Sequence, residues 1–171
     1  MRLQDLPAAE LVYKIGKIEC DGHPNRITNI SCHVKAIDWN RAVVNMDCFL
    51  VVPVRNLAVR FQVFKKDYSN QYKTFLIDSS ANLCQVIERR NYSTYGVIVW
   101  KLMKQFTTVN HSCPFSGQIS TRNGFMNTSL IPPFPQGFYL FSFSFTNNNK
   151  YVGTTKFYLE AMEKVKTKKR I

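Results

Sequence analysis

Between Leu57 and Val63 the chain alternates: Leu57, Val59, Phe61 and Val63 are apolar and Arg60 and Gln62 polar. A period of two puts one face of a β-strand inward. The same period recurs at Tyr139, Phe141, Phe143 and Phe145, with Ser142 and Ser144 on the opposite face. The segment Pro132-Pro133-Phe134-Pro135-Gln136-Gly137 launches that strand through a proline-restricted turn. Residues 30–37 and 42–52 read as the arms of a hairpin closed by Asp38-Trp39-Asn40-Arg41. Its second arm sets Ala42, Val44, Met46, Cys48, Leu50 and Val52 on one face. Residues 11–19 alternate loosely, a shorter strand is expected at 72–77, and strands resume at 115–122, 138–146 and 150–161. Turns at Asn123-Gly124 and Asn147-Asn148-Asn149 separate the last ones.

The period changes after Asp78. Ser79-Ser80 can cap a helix running through Cys84 and Ile87 to about Arg90, and a second helix follows Ser93-Thr94. Tyr95, Val99, Leu102 and Phe106 repeat there at helical spacing, with Ile98, Met103 and Lys104 beside them. About eight strands and two helices emerge, with no repeat or linker. The simplest closure is a mainly β fold, a β-sandwich interrupted by a short helical hairpin. It occupies residues 11–161, between a residual N-terminal segment, 1–10, and a basic tail, 162–171.

Composition narrows the class. At 171 residues, 45% hydrophobic and 13% aromatic, the chain is globular rather than disordered or coiled-coil. A net charge of +12 favours acidic partners without choosing among nucleic acid, anionic lipid and sulfated glycan, and part of it belongs to a terminal run from Lys164 to Arg170. The five cysteines, Cys20, Cys32, Cys48, Cys84 and Cys113, include no C-x-x-C pair and no zinc-ligand spacing. Four glycosylation sequons occur, at Asn29, Asn91, Asn110 and Asn127. Residues 1–10 lack the apolar core of a signal peptide, and no stretch is long enough to span a membrane. Sequons and cysteines agree with secretion, whereas residues 1–10 leave a chain that is cytosolic or whose leader is missing from this sequence.

Several separated motifs carry a family resemblance. They are Lys17-Ile18-Glu19-Cys20, Cys32-x-Val34-Lys35-Ala36-Ile37 with Arg41, and Lys73 to Asp78 followed by Cys84. Asn110-x-x-Cys113-Pro114 and Pro133-x-Pro135-x-Gly137-x-Tyr139 complete the set. In this order and at these separations they resemble an insect family of small secreted proteins filed as a domain of unknown function (1091), some of them chemosensory. That family is similar to the ML lipid-recognition superfamily, which includes the ganglioside activator protein. The family carries proline where Thr74 stands here. The resemblance implies an immunoglobulin-like β-sandwich whose sheets splay to admit a hydrophobic ligand, with disulfides Cys20 to Cys32 and Cys84 to Cys113. The residues alone leave a rival open, because Cys32 and Cys48 lie symmetrically about Asn40 and could face each other across a hairpin.

Candidate chemistry is sparse. His33 adjoins Cys32 and His111 lies near Cys113, yet adjacent strand residues point to opposite faces and a disulfide removes Cys113 as a nucleophile. Acid pairs and a glycine-rich phosphate loop are also missing, so no enzyme and no cofactor or metal are expected. Arg60, Lys65, Lys66 and Tyr68 could be drawn as a nucleic-acid surface, but a charge-guarded strand edge explains them as well, and no nucleic-acid partner is expected. The ligand-facing candidates are Phe49, Phe61, Trp100, Phe106, Phe141 and Phe143, read as inward or nearly so. The expected function is a secreted, monomeric carrier of a small hydrophobic ligand, a lipid or pheromone-like molecule. The alternative is an extracellular interaction protein that docks to a membrane receptor or channel.

Overall fold

The computed structural model describes residues 9–89 and 92–165. Among them run β1 (Ala9–Gly22), β2 (Ile27–Asp38), β3 (Arg41–Val54), β4 (Leu57–Lys66) and β5 (Tyr72–Asn82). The helices α1 (Leu83–Ile87) and α2 (Thr94–Phe106) follow, then β6 (Phe115–Gly124), β7 (Gly137–Asn147) and β8 (Lys150–Val165). The chain is mainly β. All pairings are antiparallel, giving a five-stranded sheet in the order β1-β8-β7-β4-β5 and a three-stranded sheet in the order β2-β3-β6. The two sheets share one apolar interior, to which β1, β4, β7 and β8 contribute from one side and β3 and β6 from the other. The Asn91 sequon and the basic run from residue 166 onward lie outside the described residues. β8 passes position 161 and pairs as far as Val165.

Alternation places most side chains where the sequence pattern puts them. Leu57, Val59, Phe61 and Val63 are buried, as are Tyr139, Phe141 and Phe143. Val52 is the exception on its strand, at 45% exposed, because the register slips between Leu50 and Val54 and turns Val54 inward instead. Phe49 is also corrected: it lies on the outer face of β3 at 40% exposed, one residue from inward Cys48 and Leu50. The helix signal after Asp78 begins later than expected. Ser79 and Ser80 remain in β5, paired to Phe61 and Arg60, and Asn82 is the cap, its Oδ1 accepting from the Gln85 N–H at 3.0 Å. Ser93 caps α2 as the sequence suggests, its Oγ accepting from Gly96 N–H. Asn123 and Gly124 belong to β6, where Asn123 takes a left-handed φ of 53° beside an irregularity in the pairing with β3.

β4 is an interior strand, so its lysines do not guard an edge. Lys65 Nζ sits 5.2 Å from the Phe75 ring centroid and 5.8 Å from that of Tyr139, while Lys66 Nζ lies 5.7 Å from Phe138. Arg60 makes a two-pronged bond to Asp78, at 2.9 and 2.7 Å.

The disulfides are Cys20–Cys32 and Cys84–Cys113, and Cys48 is free. The rival bridge fails on register: an irregularity between Ala36 and Asp38 sets Cys32 opposite Met46 rather than Cys48. Cys20–Cys32 joins the edge strands β1 and β2 of the two sheets. Cys84–Cys113 ties α1, which follows edge strand β5, to the segment entering edge strand β6. Each facing pair of sheet edges therefore carries one covalent staple.

Candidate functional site

The apolar interior is packed at one end and hollow at the other. At the packed end Tyr139 and Phe141 are fully buried, and Phe134 lies against both, at ring distances of 5.4 and 5.6 Å. Tyr13 ties this plug to the turn before β7: its hydroxyl donates to Pro132 O and accepts from the Phe134 N–H, both at 2.9 Å. Burial pushes the Tyr13 hydroxyl pKa above its ordinary value, partly offset by the Phe134 bond. Tyr139 donates to Pro135 O at 2.6 Å, and burial likewise raises its pKa. The proline turn thus holds the plug in place.

Beyond the plug lies a cavity of about 250 Å³ between the sheets. The five-stranded sheet lines it with Ile15, Leu57, Phe143, Phe145, Val152 and Phe157. The three-stranded sheet adds Val44, Met46, Cys48, Leu50 and Ile119, and α2 closes one side with Val99, Leu102, Met103 and Phe106. It reaches the surface at Ile30 and at Phe125, 36% and 44% exposed, the latter packed edge-on against Phe106 at 4.8 Å. Both disulfides lie at this end: Cys20 and Cys32 line the cavity, and Cys113 is two residues from the lining Phe115.

The walls present almost no polarity. Asp21 and Asp47 border them; Asp21 is exposed, and the half-buried Asp47 carboxylate accepts from Arg122 Nη2 at 2.8 Å and from Ser120 Oγ at 2.7 Å. Arg122 and Ser120 hold that carboxyl below its ordinary pKa. Among the described residues no buried side-chain nitrogen or oxygen lacks a partner. Cys48 supplies a thiol, raised in pKa by burial and then by the nearby Asp47 charge. A raised thiol is a poor nucleophile at neutral pH and behaves as a small hydrophobe. Such a space can take up an apolar molecule and offers it little to hydrogen-bond.

Of the six aromatic candidates, the structure brings Phe106 and Phe143 into the cavity wall. Phe61 stands behind Phe143, stacked on it at 4.7 Å and 11°, and Phe141 belongs to the plug. Trp100 sits on the other side of α2, its ring 5.6 Å from Lys104 Nζ, and Phe49 faces outward. The lining residues of the three-stranded sheet are not legible in the sequence as a cavity wall, because an alternating strand signals an inward face, not whether that face meets a filled or an empty space. Among the sequons, Asn29 and Asn110 are exposed, whereas the Asn127 amide Nδ2 donates to Gln105 Oε1 at 3.1 Å. No helix among the described residues is long and apolar enough to cross a membrane.

Compared with known proteins, residues 59–141 match the model of a family described as "Protein of unknown function (DUF1091)". The match runs from β4 into β7 and includes both helices and the Cys84–Cys113 bridge. No curated protein matches the chain.

Proposed function

We propose that this protein is a secreted, non-catalytic carrier that holds one small hydrophobic molecule between its sheets, with an immunoglobulin-like sandwich of lipid-recognition type as its scaffold. The observation that carries the reading is the cavity of about 250 Å³, whose charged neighbours are exposed or already paired. Its volume falls just below the roughly 300–1,000 Å³ of ordinary ligand sites, which suits a short chain or a single ring system. Binding would draw on about 0.8 kcal/mol per methylene buried, with shape as the main source of specificity. Two disulfides fit an oxidising compartment. The resemblance to insect secreted proteins, some chemosensory, supports a lipid or pheromone-like ligand.

A second reading, docking to a receptor or channel with no bound lipid, draws on the outward Phe49, Val51 and Val52, which are 40, 48 and 45% exposed. Solvent extraction of purified protein followed by mass spectrometry separates the two. A carrier yields about one apolar molecule per chain, or binds the neutral probe N-phenyl-1-naphthylamine. Met103→Trp, which fills the α2 side of the cavity, should weaken that probe about tenfold. Recovery of no lipid, together with no probe binding, would sink the carrier reading and leave the docking one.

A further inference from the structure

A second concavity, of about 440 Å³, lies on the far side of α2. Val86 and Ile87 of α1 form one apolar wall, and Trp100 and Val97 of α2 form another. Asn110, His111 and Ser112 close it from the segment before β6. Cys84–Cys113 bonds the first of these walls to the last, since Cys84 precedes Val86 by two residues and Cys113 follows Ser112. The groove is thus assembled by the bridge.

Its charge is one-sided. Arg89, Lys101 and Lys104 line it with His111, and no carboxylate does. Lys101 and Lys104 are exposed, and no ion pair found among the described residues engages Arg89, Lys101 or Lys104. Arg41, Arg60, Lys73 and Arg122, by contrast, each meet an aspartate within 3.0 Å. Lys104 leans over Trp100, so a flat apolar surface and an ammonium are presented together.

We infer that this groove is a binding site for a small organic anion: a carboxylate, sulfate or phosphate carried on a ring or short apolar body. The cations would take the charged group, and Trp100, Val86 and Ile87 the body. A small soluble acid fits better than a flat membrane surface, because the site is a concavity walled by α1, α2 and the segment before β6. The site shares no lining residue with the cavity between the sheets and stands whether or not that cavity holds a lipid.

The test uses the two tryptophans, Trp39 and Trp100. In a Trp39→Phe background, Trp100 alone reports, and its emission is followed while phenyl phosphate or uncharged benzyl alcohol is added. Saturable binding of phenyl phosphate is expected, with benzyl alcohol at least tenfold weaker. A Lys101→Gln/Lys104→Gln double variant should weaken phenyl phosphate about tenfold, whereas Lys104→Arg should keep most of the affinity. The same thermal midpoint for all variants shows that they are folded. Equal binding of the two probes overturns the proposal, as does an unchanged affinity in the double variant. A response to phosphatidylserine vesicles without one to phenyl phosphate also overturns it, in favour of a lipid surface.

Discussion

Single side chains decide what the cavity can report. Cys48 lines the space, and burial followed by the Asp47 charge raises its thiol pKa. Because the folded value is raised, the thiolate stays scarce at neutral pH and grows only as pH climbs past the ordinary thiol range near 8.5. Alkylation of the native protein by iodoacetamide should therefore be slower at pH 7.5 than that of a free cysteine, with its pH midpoint shifted upward. Adding N-phenyl-1-naphthylamine should slow it further. A rate equal to free cysteine, indifferent to the probe, would remove Cys48 from the proposed site. Phe49 and Cys48 show how fine the sequence distinction is. One residue apart on β3, they differ in which sheet face they occupy, and only the parity shared with Val44 and Leu50 marks Cys48 as the inward one.

At the level of elements, the helical hairpin is held more tightly than its length suggests. Gly96 in α2 faces β5 so closely that an added Cβ would lie 2.8 Å from Ala81 Cβ and 3.1 Å from Val86 Cγ2. Gly96→Ala should gain about 1 kcal/mol in helix propensity and still destabilise by about 1–3 kcal/mol through overpacking. A urea unfolding series measures the balance, and a raised midpoint would mean that α2 is not seated on β5 in this way. The strands were legible because period two survives wherever one face is buried, as from Leu57 to Val63. The start of α1 was not. Ser79 and Ser80 are good caps in isolation, but pairing with Phe61 and Arg60 satisfies their backbone, and the strand carries on to Asn82. The cavity was half legible for a related reason: Phe141 and Phe143 share one period and one face, and only the Pro132–Pro135 turn, folded back through Tyr13, makes the first a plug and the second a wall.

For the whole molecule the two bridges set both stability and architecture. Cys20–Cys32 closes a separation of 12 residues and Cys84–Cys113 one of 29. In the chain-entropy account these are worth about 3 and 3–4 kcal/mol. Replacing Cys20 and Cys32 with serine should lower the guanidinium midpoint by an amount that corresponds to about 3 kcal/mol, and a midpoint unmoved would show that the edge contacts of β1 and β2 suffice alone. The resemblance brought with it an image of sheets that splay to let a ligand in. With a covalent tie at each pair of facing edges, the sheets are tethered on both sides. α2, inside the loop closed by Cys84 and Cys113, and the segment after β6 that carries Phe125 and Met126 are cavity walls that belong to neither sheet. In the carrier reading, entry and escape then become questions of timing for these non-sheet segments: how often one lifts would set a cargo's residence time, while the sheets would set how well it fits.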